Sequence, residues 1–246
     1  MHSINIREGN HDFGLDQKHK DYKPEAVELF TNENAKAAGV QYFDRQTKVV
    51  ARFPGEDGTL RDLNVYGNPC QPEFIGKPYA FIYEPDPSKD AEDAWREAPG
   101  TLDDSQIWIM HSPPLNRLDD INDMYKRMGL RGCGVQAGKL ATARPLLAVF
   151  GHYHFSWGIE KVEWTQDGQQ DGIKSAEILA MSPERREARG LSAPSDQSEW
   201  NFTEIEGNPR SQEVKSSLFV NAAWKTMDKV GSARNKPFKI TLKLPN

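Results

Sequence analysis

The chain has 246 residues, with 31 Lys and Arg against 36 Asp and Glu, a formal net charge of −5. That length fits one large domain or two small ones, and 37% hydrophobic residues suffice for a core, although the mean hydropathy of −0.73 keeps much of the chain wet. The mild acidity argues against a nucleic-acid partner, two cysteines exclude a disulfide framework or a Cys-rich zinc site, and no apolar run approaches the roughly 20 residues that span a bilayer.

Ile4 to Glu8 is a short segment ahead of a turn, and Met1 to His11 is too polar for a signal peptide, so a soluble, cytoplasmic chain without a membrane partner is expected. Pro24 to Phe30 reads as a helix opened by proline. Lys48 to Phe53 and Leu60 to Tyr66 alternate like half-buried strands, and Pro85 to Asp93 reads as a solvated loop. Ile107 to Met110 is a short apolar run, the pattern of a buried strand. Leu118 to Met128 carries one apolar face at helical spacing, stopped by Gly129, and Val135 to Ala143 reads as another helix ending before Pro145. Leu146 to Phe150 and Ser217 to Val220 are further buried strands, while Ile159 to Trp164 and Phe238 to Leu244 alternate. Between them, Thr165 to Ser217 is a polar insertion with ten acids against six basic residues, so most of the net charge sits there. Its composition favours a partly disordered loop. Strands mixed with few helices over this length indicate a layered α/β architecture, a single domain over 1–246 with the polar insertion at about 165–217.

Four of the six histidines fall in three short motifs: Gly9-Asn10-His11-Asp12, His111-Ser112-Pro113-Pro114 and Gly151-His152-Tyr153-His154. The last two directly follow apolar strands, where ligand and catalytic residues of open α/β sheets gather. Singly, each reads as a turn or a strand terminus. Together they indicate a metal site, because neutral imidazole is the commonest transition-metal ligand and an amide oxygen is a tolerable one.

Read in order, these motifs resemble the calcineurin-like metallophosphoesterase superfamily, in particular its branch similar to class III cyclic-nucleotide phosphodiesterases. Val65-Tyr66-Gly67-Asn68-Pro69, Gly158-Ile159-Glu160 and Phe219-Val220-Asn221-Ala222-Ala223 are also similar to that branch. The resemblance implies an αββα sandwich and a hydrolase that cleaves phosphomonoesters or phosphodiesters of a small phosphorylated substrate. It implies a dinuclear centre of Mn, Fe or Zn, with Asn10, His111 and His152 holding one metal and His154 helping to hold the other. His11 would then be the proton donor to the leaving oxygen, oriented by Asp12. The family's Asp-x-His and Gly-Asp motifs, which precede Gly-Asn-His, are absent from Ser3 to Glu8. An N-terminally incomplete copy lacking its first strands is therefore expected, with Met1 an internal methionine, a misassigned start or the start of a short form. The alternative is a catalytically inactive module that binds phosphate or nucleotide.

Among other residues, Cys70 and Cys133 read as buried apolar groups rather than nucleophiles. Asn68 is a weak candidate for the cleft and Trp157 for a substrate ring. Asn221-Ala222-Ala223 reads as packing, and Arg131 and Arg144 as solvated charges.

Overall fold

The computed structural model describes residues 4–7, 9–54, 58–74, 76–101, 105–120, 132–165, 172–181, 201–206, 216–223 and 238–243. The described strands are β1 (Ile4–Arg7), β2 (Val40–Phe43), β3 (Thr47–Pro54), β4 (Leu60–Asn68), β5 (Gln71–Pro72), β6 (Ile82–Tyr83), β7 (Ile107–Met110), β8 (Leu147–Phe150), β9 (Gly158–Trp164), β10 (Ile173–Met181), β11 (Asn201–Glu206), β12 (Ser216–Asn221) and β13 (Lys239–Lys243). The helices are α1 (Pro24–Thr31), α2 (Glu33–Ala37), α3 (Lys89–Ala94) and α4 (Gly134–Ala143).

The short apolar runs become the centre of one mixed seven-stranded sheet, in the order β10-β9-β12-β8-β7-β4-β3. Strands β4, β7, β8 and β12 are mutually parallel; β3 pairs antiparallel with β4 at one flank, and at the other β9 pairs antiparallel with β12 and β10 antiparallel with β9. Strands covered on both faces need apolar residues at nearly every position, which is why Ile107–Met110, Leu147–Phe150 and Ser216–Asn221 do not alternate. Because the four central strands run the same way, Asn68, Met110, Phe150 and Asn221 all end on one edge of the sheet, and the loops that follow them share it. The remaining strands pair only in twos: β1 with β2, β5 with β6 and β11 with β13. A mixed α/β architecture is therefore present, while no second large sheet faces the first among the described residues, as an αββα sandwich would require.

Tyr66 and Trp108 on neighbouring parallel strands pack at 4.8 Å between ring centroids, both fully buried. Around them lie Trp95, Met110, Leu140, Leu146, Ile159 and Phe219. Large side chains of this kind contribute about 1.5–3 kcal/mol each when removed from water. A smaller cluster of Phe43, Ala51, Leu63 and Val65 joins β2 to the flank of the sheet.

Two loop expectations are corrected. The polar insertion contains β10, which pairs along β9 with two register shifts. It is an edge strand, so its first residues face water and need no apolar pattern; Lys174, Ser175, Ala176 and Glu177 are exposed. Pro85 to Asp93 is not all loop either: Ser88 Oγ accepts the Ala91 N–H at 3.0 Å and starts α3. The expected helix over Leu118 to Met128 falls mostly outside the described residues, as does Arg131. Among the described residues, no helix is long and apolar enough to cross a membrane.

Candidate functional site

The three histidine motifs reach the same place by different routes. His111 is the first residue after β7 and His152 the second after β8, so parallel pairing of those strands sets their loops side by side. The Gly151 N–H donates to the His111 carbonyl at 3.0 Å, which ties the two loops directly. The rings of His111 and His152 lie 4.7 Å apart between centroids.

The first motif comes from β1, which pairs with β2 outside the large sheet. A turn carries it inward: the Asp12 N–H donates to the Gly9 carbonyl at 3.0 Å, and the Gly9 N–H donates back to Asp12 Oδ2 at 2.6 Å. Asn10, nearly buried, then meets His111. Its Oδ1 lies 3.1 Å from His111 Nε2, and its backbone N–H lies 3.3 Å from the same nitrogen. The Asn10 carbonyl accepts the Ala80 N–H at 3.1 Å, so Asn10 is held from both sides.

His152 has φ of 65°, and the Tyr153 N–H donates to the Gly151 carbonyl at 2.7 Å. A bond between residues two apart around a positive-φ centre is a γ-turn of the strained kind, rare outside glycine. Burial pushes the His152 imidazole down to about 4, and repulsion from His154 and His11 adds to the shift. At neutral pH its ring is uncharged, with a lone pair available. His154 opens a short 3-10 turn, His154–Ser156, and sits close enough to His152 to influence its charge.

His11 is exposed at the rim. Its ring stands edge-on to Tyr79 at 5.4 Å and to Phe13 at 6.2 Å, and Phe13 stacks on His19 at 4.7 Å. His19 Nε2 is 3.0 Å from the Pro78 carbonyl and Nδ1 accepts the Asp21 N–H, which locks this aromatic group to the loop before Tyr79. Nothing in the spacing of Phe13, His19 and Tyr79 announced them. They are brought together by loops, and only the neighbouring histidine motif pointed to the area.

The six residues expected at the site, Asn10, His11, Asp12, His111, His152 and His154, come from three strand-end loops, and contacts link three of them, Asn10 to His111 and His111 to His152. Asp12 lies beside them and caps the Gly9 turn. Other candidates are placed elsewhere. Asn68 bonds Tyr66 Oη, the Ala94 carbonyl and the Cys70 N–H; Trp157 stacks on Phe238 at 4.6 Å. Arg144 is no solvated charge: Nη1 donates to the Thr165 carbonyl and its guanidinium lies over Trp164.

The donors fit a divalent metal in kind, two imidazoles and an amide oxygen being nitrogen and oxygen ligands that Zn, Fe and Mn accept. Among the described residues, no three His, Cys, Asp or Glu side chains stand close enough to hold an ion.

No family model matches the chain. Over 109 residues, 44% of its length, it is 36% identical to a protein of Emericella nidulans described as "Probable rhamnogalacturonate lyase C", and the match spans 9% of that protein. An enzyme is thus among the proteins this chain is similar to, but that enzyme is a lyase. This overturns the expected membership of the calcineurin-like metallophosphoesterase superfamily. The hydrolase and phosphodiesterase activities go with it, as does the alternative of an inactive phosphate- or nucleotide-binding module. The physical reason is that Gly-Asn-His-Asp and Gly-His-x-His are short motifs of turn and strand-end residues, which recur without common descent.

Proposed function

We propose that the strand-end loops bind one divalent transition metal through Asn10, His111 and His152, with His154 beside them, and that His11 exchanges a proton with a substrate held there. The observation that carries this reading is the convergence of Asn10 Oδ1 on His111 Nε2 at 3.1 Å with the His152 ring next to it. Three loops far apart in sequence bring an amide oxygen against one imidazole and that imidazole against a second, and a set of fewer than four protein donors would leave a position for substrate. A bound metal would polarise a substrate oxygen and stabilise the negative charge that develops on it. His11, exposed and braced by Tyr79 and Phe13, accepts or donates the proton.

Isothermal titration of the chain with Zn2+ or Co2+ tests this. Saturable binding that His152→Ala removes and His11→Ala leaves intact supports the assignment. Equal loss of binding in both variants would contradict the separate roles.

The partial likeness to a rhamnogalacturonate lyase favours a second reading in the same site, β-elimination on an acidic sugar. His11 takes the proton beside the uronate carboxylate, the C–O bond to the departing sugar breaks as the C=C forms, and the departing oxygen takes a proton from water. Rhamnogalacturonan incubated with the chain then develops the ultraviolet absorbance of an unsaturated uronate. A flat trace with metal-loaded protein counts against elimination and leaves the metal site to the titration.

A further inference from the structure

We propose that Asn221 is a positioning residue of the site: its side-chain amide fixes the strained turn at His152 and so keeps that ring beside His111. This rests on the metal-site reading and adds to it the device that holds one ligand in place.

Asn221 is the last residue of β12, paired in register with Phe150 of β8, and it is fully buried. All parts of its amide are used. Nδ2 donates to the Tyr153 carbonyl at 3.0 Å and to the Leu118 carbonyl at 3.2 Å, and Oδ1 accepts the Ala223 N–H at 3.1 Å. Tyr153 is the residue whose N–H closes the γ-turn around His152. The turn is thus gripped at three points: by the His111 carbonyl on the Gly151 N–H, by its own Tyr153-to-Gly151 bond, and by Asn221 on the Tyr153 carbonyl. A non-glycine residue at positive φ costs on the order of 1–3 kcal/mol and persists only where its surroundings over-determine it. Asn221 supplies a grip that comes from outside the two histidine loops.

The same amide reaches Leu118, which also has positive φ, at 47°, and lies in the chain leading out of the His111 motif. One side chain therefore joins the loops after β7 and β8 from the adjacent parallel strand. A residue that only filled space there would not need a donor aimed at two carbonyls, and a leucine would serve.

The test compares Asn221→Leu with the wild-type chain by two readouts. The first is Co2+ titration with its visible spectrum, which reports ligand geometry; the second is the imidazole NMR of metal-free protein, including the ring-to-ring cross-peak between His111 and His152. Asn221→Leu is expected to lose that cross-peak, weaken Co2+ binding at least tenfold and alter the spectrum, while still melting cooperatively. If the leucine variant does not fold, Asn221→Ser, smaller and with one donor kept, carries the same comparison. Wild-type Co2+ affinity, spectrum and cross-peak in a folded variant would overturn the proposal. If wild-type protein shows the cross-peak, loses it in the variant and yet binds no Co2+, the metal reading fails while the positioning role stands.

Discussion

Asn10 and His111, 101 residues apart in the chain, meet at 3.1 Å between Oδ1 and Nε2. The approach depends on Gly9: a Cβ there would lie 2.9 Å from His111 Cε1 and 3.1 Å from Nδ1. The imidazole would have to turn away, and with it the partner of Asn10. Gly9→Ala should therefore weaken Zn2+ binding about tenfold, an effect of about 1.4 kcal/mol, with little change in melting temperature because the turn is on the surface. Unchanged affinity in calorimetry would show that the His111 ring is free to move.

Asp16 anchors the segment that follows the first motif. Its Oδ1 lies 2.7 Å from Arg45 Nη2, and its Oδ2 accepts the Phe81 N–H at 2.6 Å. Arg45 also donates to Cys70 Sγ and covers the Phe81 ring. Burial works against the Asp16 charge, but the Phe81 N–H, Arg45 and the Lys18 N–H outweigh it and hold the carboxyl below its usual range. Asp16→Asn removes the carboxylate ion-paired with Arg45. The cost should be about 2–3 kcal/mol, less than for a fully buried pair because Arg45 keeps about a quarter of its side chain in water. A depressed carboxyl stabilises the fold at pH values above its unfolded pKa of about 3.9 and loses that contribution as pH falls below it. Urea titrations at neutral pH and near pH 3 should show the gap between wild type and variant narrowing in acid; a gap that widens would contradict the assignment.

The sheet was far more legible in the sequence than the site. Ile107–Met110 matches its strand to the residue, the expected Leu146–Phe150 starts one residue ahead of Leu147–Phe150, and the expected Ser217–Val220 falls one residue short at each end of Ser216–Asn221, because a strand buried on both faces leaves an unbroken apolar run. β10 was hidden because an edge strand facing water carries charges, and α3 because six residues are too few to show a helical period. The histidine motifs pointed to three loops that the structure brings together, but not to what descends from what. Their shared order suggested a family that the comparisons do not support. Asn221 read as packing, since its role is visible only in which carbonyls its amide meets.

Cys70 and Cys133 lie within the main core cluster as free thiols, and burial pushes them up to about 11 and about 12. For Cys70 the burial outweighs the opposing pull of Arg45. Both should resist thiol-reactive dyes in native protein at pH 8 and react together once urea unfolds the chain. Fast labelling of either thiol under native conditions would show that part of this core opens readily.

Gly67 in β4 faces Phe43 of β2 so closely that a Cβ would sit 2.7 Å from the ring's Cγ. Phe43 is fully buried and cannot step aside into solvent. Gly67→Ala should destabilise the fold by about 1–3 kcal/mol through overpacking, read as a lower urea midpoint at unchanged slope. A wild-type midpoint would mean that β2 shifts away from the sheet at no cost.

The most direct measurement is the metal content of the purified chain and of His152→Ala after equilibration with Zn2+ and removal of free ion. A single bound ion in wild type that is absent from His152→Ala, and still present in His11→Ala, is the expected result. No bound ion in the wild-type chain, or full retention in His152→Ala, would contradict a metal centre built on Asn10, His111 and His152.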